Sequence, residues 1–322
     1  MNITDFLIGY KAGMLKGGGS SADVRYVTFM SHDGAVEYGK KAVAVGDDCA
    51  DPIARGVFDT PTKESTSQYD YSFVGWATTP NGAWDENALD TVTEDKIVYA
   101  AYAYTWADTN FATAQWSTII EIAESGQASE YFNIGDTRTL IGTDGKSYTL
   151  AIAGFNHDDI SGGKANMTIM LHTSIGSIPF TSSGLTADMY NSSAVYNKIR
   201  EWAANNLPQE VQNAVKGAAK KFNTAGNYYL NYMYLQYWNP SPTEVNYTFD
   251  TAKYPTAGTT YELYTNTQFS PKDTTGNTLT SVWSRLGDIT DEKQVGVLNT
   301  ATRSCVSQTS TNSCACVFGF CI

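Results

Sequence analysis

The chain has 322 residues, enough for two domains of ordinary size and an accessory segment. Apolar residues make up 42% and aromatic residues 13%, which excludes a mainly disordered chain. The net charge of −12 argues against nucleic-acid binding, because an acidic surface repels phosphate groups.

The sequence contains no pattern typical of secretion or membrane insertion. No apolar run reaches the ~18 residues that a membrane span needs. The first residues carry neither a basic leader nor a small-residue cleavage site. We therefore expect synthesis in the cytoplasm without a signal peptide, and no membrane insertion. Five cysteines, an odd number, also fit a reducing compartment better than a disulfide framework.

The first 22 residues have the character of an attachment segment. Helical spacing relates four of them: Ile3, Phe6, Leu7 and Tyr10. The following KGGGSS, residues 16–21, is typical of a flexible linker. The pattern predicts a short adhesive helix followed by a linker, and a frayed terminus is the alternative.

Residues 23–106 alternate strands with turns. VRYVTFMS and KKAVAVGDD read as strands, with HDG as a turn between them. Four motifs follow one another: VTF…DG, DTPTKE, YSFVGWAT and VTEDKIVYAAY. They resemble the Listeria–Bacteroides repeat, a small β-grasp module of surface proteins, although the loop DDCADPIARGVFDTP is longer than that repeat usually has. The resemblance implies that Phe73, Trp76 and Tyr99 are core residues and that the module has no catalytic role.

The chain after residue 107 mixes helices with strands. A helix is predicted from an apolar stripe that Gly126 can end: Trp116, Ile119, Ile120 and Ala123. TDGK between two alternating segments predicts a hairpin. Further helices are predicted over about 192–204 and over LPQEVQNAVKGAAKKF, which has proline in its first turn and basic residues in its last.

Six motifs over residues 107–322 occur in a characteristic order: EYFNIGDTRTL, IAGFNHDD, VYNKIREWAANNLPQEVQNAVK, YELYTN, VWSR and VFGFCI. They resemble a C-type-lectin-like domain of gut bacterial and phage proteins. That group is related to formylglycine-generating enzymes and to the variable proteins of diversity-generating retroelements. Trp283, Arg285 and residues 318–322 match its frame. Departures from the usual pattern occur at Ser284, Leu286, Ala315, Cys316 and Val317.

Four of the five cysteines fall in the last 18 positions: Cys305, Cys314, Cys316 and Cys321. The gaps between them are eight, one and four residues, whereas zinc sites prefer paired cysteines with gaps of two to four, and no C-x-x-C occurs. We expect no metal, no cofactor and no disulfide here. The spacing alone excludes neither a metal site nor a disulfide. Cys321 is expected to be buried in the apolar FGFCI, with at least one of the other three accessible to solvent.

The retroelement resemblance offers a second account of these cysteines. Retroelements replace template adenines at random, so an asparagine codon can become many other codons but not those of Lys, Glu, Gln, Met or Trp. Within the run 299–317, only Gln308 lies outside the accessible set. This makes about 281–317 a candidate variable-type region. The alternative is an ordinary polar segment with an accidental bias in composition.

The predicted fold class is α+β, with a small β-grasp-like module followed by a C-type-lectin-like domain. The predicted segments are 1–22, 23–106 and 107–322. The resemblances imply an adhesin rather than an enzyme: a phage tail-fibre tip or a retroelement-diversified variable protein, in a virion tail or in bacterial surface display. Its expected partners are a host cell-surface receptor, protein or glycan, and other virion or tail proteins bound through the N-terminus. A homotrimer is expected by analogy with tail fibres. The alternatives are a formylglycine-generating-type enzyme and a purely structural virion protein.

Candidate ligand-binding residues are the polar side chains of the C-terminal region, which we expect to point outward: Arg285, Asp288, Asp291, Glu292, Asn299, Thr302, Arg303, Ser307, Thr309 and Asn312. Trp283, Gly319 and Phe320 are expected to be scaffold. NHDD at 156–159 is interpreted as a structural turn, with a calcium site as the alternative. The aromatic run YYLNYMYLQYW at 228–238 is interpreted as core or inter-module packing, with sugar stacking as the alternative.

Overall fold

A computed structural model describes residues 23–181 and 189–322 of the chain. The chain divides into two compact units, Met1–Thr105 and Trp106–Ile322. The predicted attachment segment, residues 1–22, lies outside the described residues. The described residues form a mixed α and β architecture in which sheet outweighs helix.

The described part of the first unit, from residue 23 onward, contains one mixed sheet of four strands. They are β1 Val24–Met30, β2 Glu37–Ala44, β3 Tyr69–Ala77 and β4 Lys96–Trp106. Their order across the sheet is β2-β1-β4-β3. β1 runs antiparallel to β2 and parallel to β4. The two chain-distant strands β1 and β4 therefore form the centre of the sheet, and the long connection between β2 and β3 lies outside it.

One face of this sheet carries the core of the first unit. Phe29 and Trp76 pack edge to face with ring centroids 4.7 Å apart, and both are buried. Phe73 packs against this cluster while remaining partly exposed. The expectation that Tyr99 belongs to the core is wrong: it is half-buried and lies outside the cluster. Side chains alternate along a strand, and Val98 occupies the core face, so Tyr99 points to the other face.

The second unit contains five α-helices and thirteen strands among the described residues. The helices are α1 Trp116–Glu124, α2 Ala128–Tyr131, α3 Ala194–Asn206, α4 Gln209–Ala214 and α5 Glu262–Asn266. The strands that precede α3 are β5 Thr137–Ile141, β6 Ser147–Phe155, β7 Asp159–Ile160, β8 Gly163–Lys164, β9 Met167–Leu171 and β10 Ser177–Pro179. The later strands are β11 Ala218–Phe222, β12 Asn231–Leu235, β13 Ser281–Gly287, β14 Gln294–Asn299, β15 Ser304–Thr309, β16 Ser313–Ala315 and β17 Gly319–Cys321.

Three sheets surround the core of this unit. Their strand orders are β10-β16-β13-β14-β15, β12-β11-β7-β8 and β17-β9-β6-β5. The last strand, β17, pairs antiparallel with β9 and brings the C-terminus into the centre of the fold. β13 is buried along nearly its whole length, as expected for a strand covered on both faces. β12, in contrast, is an edge strand with three consecutive exposed residues.

Local sequence signals locate the early elements of the unit. The predicted helix is α1, with Trp116, Ile119 and Ala123 buried and Ile120 only partly so. Gly126 follows it at φ +78°, a conformation that glycine adopts without strain. The predicted hairpin is β5–β6, whose strands pair from Ile141↔Ser147 onward. The predicted helix over 192–204 is α3, which Ser193 caps by accepting a hydrogen bond from the Tyr196 amide.

The third predicted helix is wrong in its second half. Only Gln209–Ala214 is helical, and Ala218–Phe222 forms strand β11. Ala218, Lys220 and Phe222 are buried at every second position, which is the period of a strand. The basic residues predicted to end a helix are thus split, with Lys220 inside the protein and Lys221 exposed.

The predicted scaffold residues of the C-terminus are all buried. Trp283 and Phe320 have no exposed surface, and the Trp283 indole donates to the Ile178 carbonyl at 2.7 Å. A Cβ added to Gly319 would collide with the Met170 sulfur and lie 3.3 Å from the Trp238 ring. Any other residue here would have to displace the Met170 side chain beside the Trp238 ring. The predicted burial of all three scaffold residues is confirmed.

Candidate functional site

Arg285, predicted as an outward ligand contact, lies instead in the core with no exposed surface. Its guanidinium donates to both carboxylate oxygens of Glu244, at 2.5 and 3.0 Å. It also donates to the carbonyls of Lys221 and Asn239, each at 2.9 Å. Four of its five N–H donors are used inside the protein and the side chain has no exposed surface, so the assignment of Arg285 to the binding face is wrong.

A second buried cation completes what we call the ionic cluster: Asp158, Lys220, Glu244 and Arg285. The Lys220 ammonium donates to Asp158, to Glu244 at 2.9 Å and to the Tyr261 hydroxyl at 2.9 Å. It also lies 3.9 Å from the centre of the Trp238 ring. Two cations and two anions give the cluster no net charge, which is the condition under which buried charges are tolerated.

The cluster holds its carboxylates ionised. Burial opposes ionisation of Asp158, but the charge and hydrogen bond of Lys220 together with the adjacent His157 outweigh that effect and lower the pKa of this carboxyl. Burial likewise opposes ionisation of Glu244, and Arg285 together with Lys220 lowers its pKa. The structural interpretation of NHDD therefore fits this geometry, because Asp158 is a buried partner and Asn156 makes a left-handed turn at φ +49°. No group of three or more potential metal-ligating side chains occurs in the described part of the chain.

Asp288 also faces inward, against expectation, with 1% of its surface exposed. It accepts hydrogen bonds from the Thr290 amide at 2.9 Å and from the Ser307 hydroxyl at 2.5 Å. The Tyr254 hydroxyl in turn lies 2.6 Å from Ser307. Burial opposes ionisation of Asp288, but these hydrogen bonds lower its pKa. Asp288 thus fixes the loop after β13. Ser307 is half-buried, and its hydroxyl is used in the hydrogen bond to Asp288.

The other candidates lie at opposite ends of the β14–β15 hairpin. One end, which we call the acidic end, comprises Asp291, Glu292, Thr309 and Asn312. The opposite end, which we call the arginine end, comprises Asn299, Thr302 and Arg303. Strand pairing runs from Gln294↔Thr309 at the first end to Asn299↔Ser304 at the second. Five strand steps separate them by roughly 17 Å, so the set is not one contiguous face.

A second segment of the chain packs against the acidic end. The Gly226 amide donates to the Asp288 carbonyl at 2.7 Å. The Asn223 side-chain amide donates to the carbonyls of Gly287 at 2.9 Å and Asn227 at 3.0 Å. A Cβ on Gly226, which has φ +75°, would lie 2.9 Å from the Glu292 Cβ. The turn before the aromatic run is therefore held beside the loop that carries Asp291 and Glu292.

The aromatic run leaves this turn as an exposed band. We call the exposed large residues the tyrosine surface: Tyr228, Tyr229, Leu230, Tyr232, Met233 and Tyr234. Tyr228 and Tyr229 are 66% and 80% exposed. Core packing is confirmed for Leu235, Tyr237 and Trp238, which are buried, and is wrong for the exposed residues. The reason is the position of β12 at the edge of its sheet, where β11 covers only one side.

The cysteines do not supply reactive groups. All five are free thiols and all are buried, so the expectation that one of Cys305, Cys314 or Cys316 is accessible is wrong. Burial raises the pKa of Cys314 to about 11 and that of Cys316 to about 12. Burial also raises the pKa values of Cys305 and Cys321. Since the thiolate is the reactive form, these side chains act as small apolar residues.

No protein-family model, curated protein or solved structure matches the chain. In residues 23–181 and 189–322, no helix has both the length and the apolar character needed to cross a membrane.

Proposed function

We propose that the chain is an attachment protein whose second unit binds a host-surface receptor through the acidic end and the tyrosine surface. The observation that carries the proposal is that exposed aromatic side chains lie beside a polar loop, which the buried Asp288 holds in place by hydrogen bonds. Exposed apolar patches of this kind are typical of binding sites. Tyrosine with Asn, Ser and Thr is also the composition that adaptable binding surfaces use.

The scaffold beneath this surface is rigid. Asn223, Asp288 and Ser307 hold the two adjoining loops by hydrogen bonds to neighbouring backbone and side-chain atoms. The ionic cluster lies below them and keeps its own charges paired. Binding surfaces are commonly loops positioned by such a framework, because the loops can change without loss of the core.

The family assignment belongs to the same proposal. We propose that the first unit is a β-grasp module of the Listeria–Bacteroides type, in keeping with its mixed sheet and parallel central pair. We propose that the second unit is a C-type-lectin-like domain of a phage tail fibre or a retroelement-diversified variable protein. A homotrimer bound to other tail proteins through residues 1–22 completes this assignment.

Burial limits which positions of 281–317 can vary freely. Cys305, Cys314 and Cys316 lie in the core, so diversification there would disturb packing. The positions open to change are those that the structure leaves exposed: Thr290, Glu292, Lys293, Ala301, Thr302, Arg303, Val306, Thr309, Thr311, Asn312 and Ser313. We therefore propose that any diversification acts through these side chains rather than through the cysteines.

A binding role fits the buried groups better than the enzymatic alternative. A formylglycine-generating-type enzyme requires reactive thiols, whereas the C-terminal thiols are buried and their pKa values are raised. The charged side chains of the ionic cluster likewise face one another and not a cleft.

The experiment is a cell-binding assay with fluorescently labelled full-length chain on a panel of gut bacterial isolates, read by flow cytometry. We expect binding to a subset of isolates. The combined variant D291N/E292Q/T309A/N312A at the acidic end should weaken binding at least about tenfold. The matched control is N299A/T302A/R303A at the arginine end, which should bind as the parent does. Absence of binding to any isolate, or equal losses at both ends, would contradict the proposal.

A further inference from the structure

One face of the sheet β12-β11-β7-β8 carries exposed side chains on its outer strands, and we call the strip between these two rows of side chains the trough. Across β12 and β11, Tyr232 pairs with Lys221 and Tyr234 with Ala219, and paired residues share a face. The inward residues of β11 are Ala218, Lys220 and Phe222, so the outward face carries Ala219 and Lys221.

The opposite wall of the trough is an ion pair. β7 pairs with β11 at Ala218↔Ile160, so the adjacent Asp159 lies on the outward face beside Ala219. Asp159 pairs with Lys164 of β8, and their charged groups are 2.6 Å apart and exposed. Two strand spacings, about 10 Å, separate the tyrosine wall from this wall.

The floor between the walls is made of the smallest side chains. Ala219 lies in the middle, and Gly217 precedes it on the same face. A Cβ at Gly217 would lie 3.3 Å from the Tyr234 Cβ, which places this glycine beside the base of the Tyr234 side chain. The rings of Tyr232 and Tyr234 stand at 78° to each other with centroids 5.9 Å apart. One wall is therefore a corner of two exposed aromatic rings.

We propose that this trough binds a neutral saccharide, with one pyranose ring over Ala219. The apolar C–H face of the sugar would stack on a tyrosine ring, and its hydroxyls would bond to Asp159, Lys164 and Lys221. Asp159 already pairs with Lys164, so Lys221 is the one other cation among the described residues of the trough, which is less positive charge than phosphorylated or strongly acidic ligands usually require. A protein partner fits less well, because the charged wall and the small width leave little apolar area to bury. The proposal rests on the attachment role and names its ligand class.

The test measures binding of full-length chain to a printed array of neutral glycans and to a panel of methyl pyranosides by saturation-transfer NMR. We expect at least one neutral sugar to bind. The variant Y232A/Y234A should lose about tenfold or more in affinity, and Asp159→Asn a smaller amount. Tyr26→Ala in the first unit is the control, because Tyr26 is 48% exposed and its loss should change nothing.

Three outcomes would overturn the inference. One is the absence of neutral-sugar binding by a chain that does bind cells, which would leave the attachment role standing. Another is equal sugar affinity in the parent and in Y232A/Y234A. The third is a parent that sediments as an oligomer which Y232A/Y234A dissociates, because the rings would then be covered by a second copy. A chain that binds sugar but no cells would instead contradict the attachment role alone.

Discussion

Removal of Arg285 tests the ionic cluster most sharply. The cluster contains two cations and two anions, so Arg285→Met leaves one buried negative charge without its partner. Breaking a buried ion pair from one side costs about 3–5 kcal/mol. Domains are stabilised by about 5–15 kcal/mol in all. The Arg285→Met variant should therefore still fold, but with a much lower free energy of unfolding.

The double variant R285M/E244M separates charge from packing. Lys220 and Asp158 then remain as a balanced pair, so the double variant should cost less than the sum of the two single variants by at least about 2 kcal/mol. Urea unfolding of the full-length chains at neutral pH provides the free energies. The control Arg303→Met, at an exposed position, should lie within about 0.5 kcal/mol of the parent.

If Arg285→Met lowers the free energy of unfolding by less than about 1 kcal/mol, this reasoning is refuted, because an exposed ion pair contributes that little. A loss of cell binding by Arg285→Met with unchanged unfolding would refute it too. That pair of results would return Arg285 to the outward role that the sequence predicts.

The remaining predictions concern the core, the thiols and pH. Phe320→Ala should lower the free energy of unfolding by about 3–5 kcal/mol, since the ring is fully buried, and cell binding should persist in the fraction that remains folded; a loss under about 1 kcal/mol would contradict that packing. Ellman's reagent should find no rapidly reacting thiol in the folded chain and five after denaturation; one fast thiol in the folded chain would contradict the burial of the cysteines. Stability should fall as the pH drops below about 4, measured by urea midpoints. Asp158 and Glu244 have lowered pKa values in the fold, so their contribution is present above the unfolded pKa and is lost as acid protonates them; a midpoint that does not change with acid would contradict it.

The helices α1 and α3 and the β5–β6 hairpin were predicted correctly because short patterns in the sequence determine them. The stripe from Trp116, the turn TDGK and the cap at Ser193 act over a few residues, and each lies where the pattern indicated. The cluster of apolar residues around Phe320 likewise predicted its burial, because removal of large apolar side chains from water is favourable.

The predictions that were wrong concern side chains whose burial depends on residues far away in the sequence. Lys220 lies in a strand because Asp158 and Glu244, 62 and 24 residues away, provide its partners. Arg285 is buried for the same reason, and the sequence around it contains no sign of Glu244. Residue type alone therefore predicts an exposed position for Arg285. The exposure of Tyr232 and Tyr234 likewise depends on which strand lies beside β12, which the order of residues does not reveal.

Hydrogen–deuterium exchange of the full-length chain, with and without cell-surface glycan from a bound isolate, tests the central claim most directly. The account predicts protection over residues 226–234 and 288–293, at the tyrosine surface and the acidic end, with no change at the arginine-end turn 300–303. Protection at 300–303 alone, or none in the second unit, would contradict it.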